Sequence, residues 1–283
     1  VREFLEAKDR LLGIAYGITG DVGAAEDIVQ EAWLRLSRAE GVDDVTGWLV
    51  VVTSRLALDH VRSARFRREH YVGPWLPEPL VDGPEDRVTM AESVNMALLV
   101  VLETLSPAER TVFVLHEVFG MPFAEVAEAV GRSPAAVRQL AARARKHVGA
   151  RTPRFDLDHV QQKRVVDAFA KACDGRDIDG LLRLLDPDVV LHTDGGGRVR
   201  AARRPVYGAD KVARFLVGIS RTVAVDHRLV QVNGWTGLLR FTETTLHSVV
   251  ALTTANGRVT TIDIVANPEK LTRVRAVIHG KDK

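Results

Sequence analysis

The sequence predicts a multidomain chain: two all-α segments followed by an α+β domain. Three observations predict it. Apolar residues recur at helical spacing over residues 4–68 and again from about Val88 to His147. A Pro-rich acidic stretch at 71–88 separates the two segments, and beyond Arg151-Thr152-Pro153 runs rich in Val, Ile and Thr replace the helical period. The 283 residues are too many for one typical domain and suit two or three, each with its own core. A formal net charge of +2 makes no case for nucleic acid, so the placement of basic residues has to decide that question. The single cysteine, Cys173, leaves no intramolecular disulfide and points to a reducing, cytoplasmic setting, although a small buried hydrophobe explains it equally well. No apolar run approaches the roughly twenty residues of a membrane span, and the start, Val1-Arg2-Glu3-Phe4, has no signal-peptide core.

The first quarter, 1–70, reads as three helices. Leu5, Leu11, Leu12 and Ala15 mark the first, and Ile28, Val29, Ala32, Trp33 and Leu36 the second. The third runs from about Thr46 through Arg65 with Trp48, Leu49, Val52, Leu56 and Val61, and its end turns basic at Arg62, Arg65, Arg67 and Arg68. In 71–88, Pro74, Pro77, Pro79 and Pro84 stand among Glu78, Asp82, Glu85 and Asp86, a composition that cannot sustain a helix and reads as a linker. The second helical domain, 89–150, is punctuated by Ser106-Pro107 and by Gly131-Arg132-Ser133-Pro134. From 158 to 283 the expected order is helix 159–174, helix 178–185, strand 189–192, helix 209–220, then strands 227–233, 238–242, 246–254 and 259–266. Asn256-Gly257 is a strong hairpin signal between the last two strands.

The most specific signal lies between Phe123 and Val148. Phe123, Val126, Ala127 and Val130 follow the i, i+3, i+4, i+7 pattern, and a glycine-containing turn then starts a second helix, which is helix-turn-helix grammar. Ser133 can cap that helix while Pro134 takes its first position, where a missing N–H is harmless. Val137, Ala141, Ala144 and Val148 face inward, which leaves Ala135, Arg138, Gln139, Ala142, Arg143 and Lys146 available to a DNA groove. Residues 132–154 hold seven basic side chains and no acidic one, so phosphate is the natural counter-charge. The plainer reading, an exposed basic helix of a three-helix bundle, does not account for turn, cap and charge together. Arg138 and Gln139 suit guanine and adenine edges; Arg143, Arg145 and Lys146 suit phosphate. Upstream, Ser106-Pro107-Ala108-Glu109 is a capping box that opens a supporting helix.

Two stretches then carry a resemblance. Ala24-Ala25-Glu26-Asp27-Ile28-Val29-Gln30-Glu31-Ala32-Trp33, followed by Gly47-Trp48-Leu49 and Arg55-Leu56-Ala57-Leu58-Asp59-His60-Val61-Arg62, resembles region 2 of the sigma-70 family, in its extracytoplasmic-function branch. Leu105-Ser106-Pro107-Ala108-Glu109-Arg110 with the helix-turn-helix resembles region 4 of the same branch. The resemblance implies a factor that binds core RNA polymerase and directs promoter-specific initiation. Asp27, Ile28, Val29, Gln30 and Glu31 would dock on the clamp helices of the largest subunit, with the β-flap as a second polymerase contact. Trp48, Arg55, Asp59, Arg62 and Arg65 would take the melted strand of the −10 element. Region 4, through Ser133, Ala135, Arg138, Gln139, Ala142, Arg143 and Lys146, would read the −35 element in the duplex. An amphipathic helix with exposed acids suits a partner helix, and a basic helix end suits single-stranded backbone. Trp33 and Trp48 read first as core residues; Trp48 is retained as a candidate base contact. Leu140, where many relatives carry a basic residue, reads as a core-edge leucine.

The order of elements from 158 onward resembles the SnoaL-like branch of nuclear-transport-factor-like cones. Three short stretches fit the sigma factors that carry this extension: Trp75-Leu76-Pro77-Glu78-Pro79-Leu80, Asp194-Gly195-Gly196-Gly197-Arg198 and Asn267-Pro268-Glu269-Lys270-Leu271. The resemblance implies regulation of the sigma domains from within the same chain. On physical grounds the semi-rigid segment containing Trp75, Leu76 and Pro77 can dock near the 194–198 loop and fix how far apart the DNA-reading domains sit. Two other readings stand beside this one. A helix-turn-helix repressor would act without polymerase, usually as a dimer on a palindrome. A ligand-binding or enzymatic cone fused to a DNA-binding module would use His192, Asp194, His227 or Asp263, which form no recognisable acid–base motif. A small ligand without chemistry fits such a cone better. No cofactor, metal-ligand, P-loop or nucleophile motif is present in the sequence, and no enzyme activity is expected.

Overall fold

The structure is a computed structural model that describes residues 2–68, 71–81, 95–151, 158–222 and 226–281. Of these, 2–68 and 98–151 make one compact unit; 71–81, 95–97, 158–222 and 226–281 make the other.

The first unit is helical. Helix α1 (Arg2–Thr19) ends at Gly20, and α2 (Val22–Leu36) begins at once because Asp21 caps it, its carboxylate accepting from the Ala24 amide at 2.8 Å. Helix α3 (Val45–Arg68) packs on both, with Leu11, Ile14, Tyr16, Ile18 and Leu49 wholly buried. Helix α4 spans Met96–Leu102, of which 98–102 belong to this unit. Helix α5 (Pro107–Phe113) opens on the expected capping box, in which Ser106 and Glu109 satisfy each other's backbone amides, and runs into a π-helical turn at Val114–Val118. Helices α6 (Phe123–Val130) and α7 (Pro134–Arg151) form the helix-turn-helix. The turn residue Gly131 has φ 65°, the left-handed conformation that ends a helix without a Cβ penalty.

Residues of both helical segments, 2–68 and 98–151, fall in this unit. Helix α3 packs on α5 and α6, and Arg55 donates to the Glu128 carbonyl at 2.9 Å. Arg110 is 2% exposed, pairs with Glu103 and donates to the Gly17 carbonyl at 3.4 Å. That carbonyl lies in the last turn of α1, the negative end of the helix dipole, so a buried guanidinium finds compensation there.

The second unit is α+β. Helices α8 (His159–Asp174), α9 (Ile178–Leu184) and α10 (Ala209–Thr222) pack on a six-stranded sheet of order β2-β1-β6-β5-β4-β3. Its strands are β1 (Leu185–Asp194), β2 (Val206–Tyr207), β3 (Asp226–Val232), β4 (Trp235–Thr242), β5 (Thr245–Ala255) and β6 (Arg258–Val265). Phe169, Leu181, Leu185, Val212, Leu216 and Ile262 belong to the core between helices and sheet. The expected element order holds, with two additions: the two-residue β2, too short to leave a pattern, and a terminal helix α11 (Thr272–Lys281). Neighbouring strands are antiparallel except β1 and β6, which pair in parallel because α10 and the hairpins intervene between them. Asn256-Gly257 forms the predicted tight turn with φ 51° and 71°, and Asn233-Gly234 repeats it at 50° and 78°.

Candidate nucleic-acid interface and linker-docking site

The recognition-helix face is built as the apolar spacing dictates. Val137, Ala141, Ala144 and Val148 are buried, whereas Ala135, Arg138, Gln139, Ala142, Arg143 and Lys146 are exposed. Ser133 caps α7, its hydroxyl accepting from the Ala136 amide at 3.3 Å. Leu140 is buried, so it is a core-edge residue here. Arg138 lies over the Phe123 ring at 5.8 Å, and Phe123 stacks on His116 with centroids 3.9 Å apart. Arg143 and Arg145 have acidic neighbours, Glu109 at 3.6 Å and Glu117 at 3.5 Å. Burial pushes the Glu109 carboxyl up, but hydrogen bonds from the Ser106 hydroxyl and amide, with Arg143 and His147 nearby, outweigh it and hold the group below its ordinary value.

On α2, Asp27 and Gln30 are exposed and Glu31 is half-buried, bonded to Arg35 at 2.8 Å. Ile28 and Val29, between them, are buried in the helical core. Helical spacing puts Leu34 on the Asp27 and Gln30 face, and Leu34 is 41% exposed, an apolar contact that sequence reading passes over because leucine reads by default as core. On α3, Trp48 is half-buried, Arg55 is exposed but tied to Glu128, and Asp59 and Arg62 pair at 3.2 Å. The Arg65 side chain lies outside the described residues.

The linker site is the most tightly built. Asp194 at the end of β1 is fully buried, and its carboxylate accepts from Tyr71 Oη at 2.6 Å, the Leu76 amide at 2.9 Å, the Gly196 amide at 3.0 Å and Lys270 Nζ at 2.7 Å. Lys270 also donates to the Leu76 carbonyl and stands 3.9 Å over the Trp75 ring. Asn267 donates to Tyr71 Oη at 2.9 Å. Burial, reinforced by the Asp194 carboxylate, holds the Tyr71 phenol above its usual range, so it remains a donor. Leu76, Leu80 and Val81 are buried; Leu80 exchanges backbone and side-chain bonds with Asn233, and Val81 bridges Val232 antiparallel. Arg198 pairs with Glu269 at 2.8 Å, while Gly195 and Gly197 complete the loop. Gly196 is obligatory: at φ 62°, a Cβ there would meet the Asn267 side chain at 2.5 Å.

Of the titratable candidates of the cone, two pair with each other, which the sequence does not reveal, and the other two have different partners. His192 Nδ1 bonds Asp263 at 2.8 Å across the parallel β1–β6 pair, His227 bonds Asp174, and Asp194 holds the linker.

A helix-turn-helix with a basic exposed face, preceded in the chain by a three-helix bundle whose second helix exposes Asp27 and Gln30, is the order of a two-region transcription initiation factor. The sigma-70 region 2 family matches residues 4–67, and the sigma-70 region 4 family matches residues 95–148. The ECF RNA polymerase sigma factor SigJ of Mycobacterium tuberculosis is 41% identical over 290 residues, covering 96% of this chain and 93% of that protein. The probable ECF sigma factor SigI of the same species is 40% identical, covering 95% and 94%. The crystal structure of M. tuberculosis SigJ superposes with a TM-score of 0.80 at 38% identity, covering 96% of this chain and 98% of that one. The chain belongs to the extracytoplasmic-function RNA polymerase sigma factors of the sigma-70 family. Its function is promoter-specific transcription initiation, with core RNA polymerase and promoter DNA as partners. Among the described residues, no helix is long and apolar enough to cross a membrane.

Proposed function

We propose that the α+β unit regulates sigma activity in cis, by holding the segment that joins region 2 to region 4. The observation that carries this is Asp194, whose buried carboxylate binds the linker through Tyr71 and Leu76 and is itself fixed by Lys270. A segment held in this way restrains the separation of two regions that pack together and must each reach their own promoter element. Arg55, a −10 candidate, donates one N–H to the Glu128 carbonyl of region 4, a bond it would exchange for one to DNA. The sign that follows is restraint. Asp27, Gln30, Glu31 and Leu34 contact the polymerase clamp helices, and the β-flap receives region 4. Trp48, Arg55, Asp59, Arg62 and Arg65 take the melted −10 strand, and Arg138 and Gln139 read −35 bases while Arg143 and Lys146 grip phosphate. The chain acts in the cytoplasm, where polymerase is.

The test is Asp194→Ala in the full chain, assayed by reconstituted transcription and by limited proteolysis of 71–81. The expected result is faster linker cleavage with at least a twofold rise in promoter-specific transcript at unchanged core affinity. Released linker with unchanged or reduced transcript would overturn the restraint.

A further inference from the structure

The α+β unit contains a cavity of about 580 Å³, within the range of small-molecule sites. Its wall combines apolar Val199, Phe215, Ile219 and Ile264 with the guanidinium groups of Arg200 and Arg240 and the imidazole of His247. Among the described residues, no carboxylate lines it. The cavity borders the linker: Thr193, Val199, Arg200, Ala201 and Ala202 line it and also line a groove with Val72 and Gly73, whereas Arg240 and His247 take no part in the Asp194 clamp.

Arg240 on β4 is the unusual group. It is only 6% exposed, its Nε has no hydrogen-bond partner, and among the described residues no carboxylate pairs with it. The acid that acts on it through space, Asp174, is bonded to His227. Burial pulls the guanidinium below its ordinary value, as expected of a charge removed from water without a counter-ion. Opposite it on β5, Ser248 is also buried with an unpartnered hydroxyl. The β4–β5 ladder slips by one residue here: Arg240 faces Ser248 while Phe241 faces Leu246, so His247 is the extra residue of a bulge. Bulges re-aim side chains, and this one sets His247 on the cavity wall beside Arg240. Burial and the Arg240 charge hold the His247 imidazole below its usual value, so it is neutral at pH 7 and can donate or accept. A buried cation without a counter-ion, a neutral hydrogen-bonding ring and an apolar wall together lack one component, an anion attached to hydrocarbon.

We propose that this cavity binds an apolar monocarboxylic acid, with the carboxylate on Arg240 and the hydrocarbon against Phe215, Ile219 and Ile264. The inference does not depend on the restraint mechanism above.

The test is calorimetric titration of the full chain with decanoate, with decanol as the neutral probe of equal chain length. Decanoate is expected to bind one equivalent at least tenfold more tightly than decanol. Arg240→Met, which keeps an unbranched apolar stem and removes the charge, is expected to weaken decanoate at least tenfold and leave decanol unchanged. Gly218→Phe is a second variant that does not disturb the buried charge: Gly218 lines the cavity from α10, and a Cβ there meets nothing within 4 Å, so the ring is expected to fill the space and abolish binding. Equal affinity for the two probes, or decanoate binding that persists unchanged in both variants, overturns the proposal. No binding by the folded chain does so too, and assigns Arg240 to solvation by water alone.

Discussion

Asp194 ends β1 with its carboxylate removed from water, and four donors converge on it. Replacing it by alanine leaves Lys270, 13% exposed, without its counter-ion; breaking a buried pair costs roughly 3–5 kcal/mol, to be read as a lower melting temperature of the full chain. Ser106 shows the same reasoning on a smaller scale. Ser106→Ala removes a helix cap worth about 1 kcal/mol. It also removes the hydroxyl hydrogen bond that helps to depress Glu109, while the backbone amide bond to the same carboxylate remains. A depressed carboxyl contributes stability that is present above its unfolded pKa and lost as pH falls through its folded value. The variant is therefore expected to lose less stability on acidification than the parent, measured by thermal unfolding against pH. Cys173 is the opposite case: burial pushes its thiol up to about 12, so iodoacetamide at pH 8 should label it only after unfolding, as mass spectrometry would show.

At the scale of elements, legibility followed pattern length. The helix-turn-helix was readable because cap, turn and periodicity agree, and the Asn256-Gly257 hairpin because its residue types answer a steric requirement at positive φ. The two-residue β2 and the terminal α11 were not, one being too short for a period and the other having no cap residue that marks its start. Ile28 and Val29 show the limit for sites: a motif marks a stretch of helix, but only the three-dimensional packing shows which of its side chains turn inward. Nor does the sequence foresee that Arg110 bonds the end of α1, since that contact spans the two helical segments. On α7, the exposed face separates two effects. Arg138→Ala and Gln139→Ala are expected to relax base preference at single −35 positions by about 1–3 kcal/mol, whereas Lys146→Ala is expected to weaken all sequences alike and lower the salt slope by about 1. Titration of duplex variants at several salt concentrations distinguishes them.

At the scale of the whole molecule, the chain combines two DNA-reading regions with a third unit that holds the segment between them. The buried 76–81 stretch, with its Asn233 and Asp194 bonds, makes the linker a structural part of the α+β unit. That role was anticipated from the apolar, Pro-rich composition of 75–80. The partner groups Lys270 and Asn267 came from a motif whose purpose the sequence does not state. A DNA-binding repressor would share the helix-turn-helix but would have no use for the α2 docking edge or for core polymerase. The most direct measurement is therefore reconstituted transcription with purified core RNA polymerase and the full chain, on a promoter identified by sequencing transcripts after its overexpression. The account predicts initiation at that promoter only when the chain is added, and its loss when Asp27 and Gln30 are both replaced by alanine. Sequence-specific DNA binding with no initiation under any condition would contradict it.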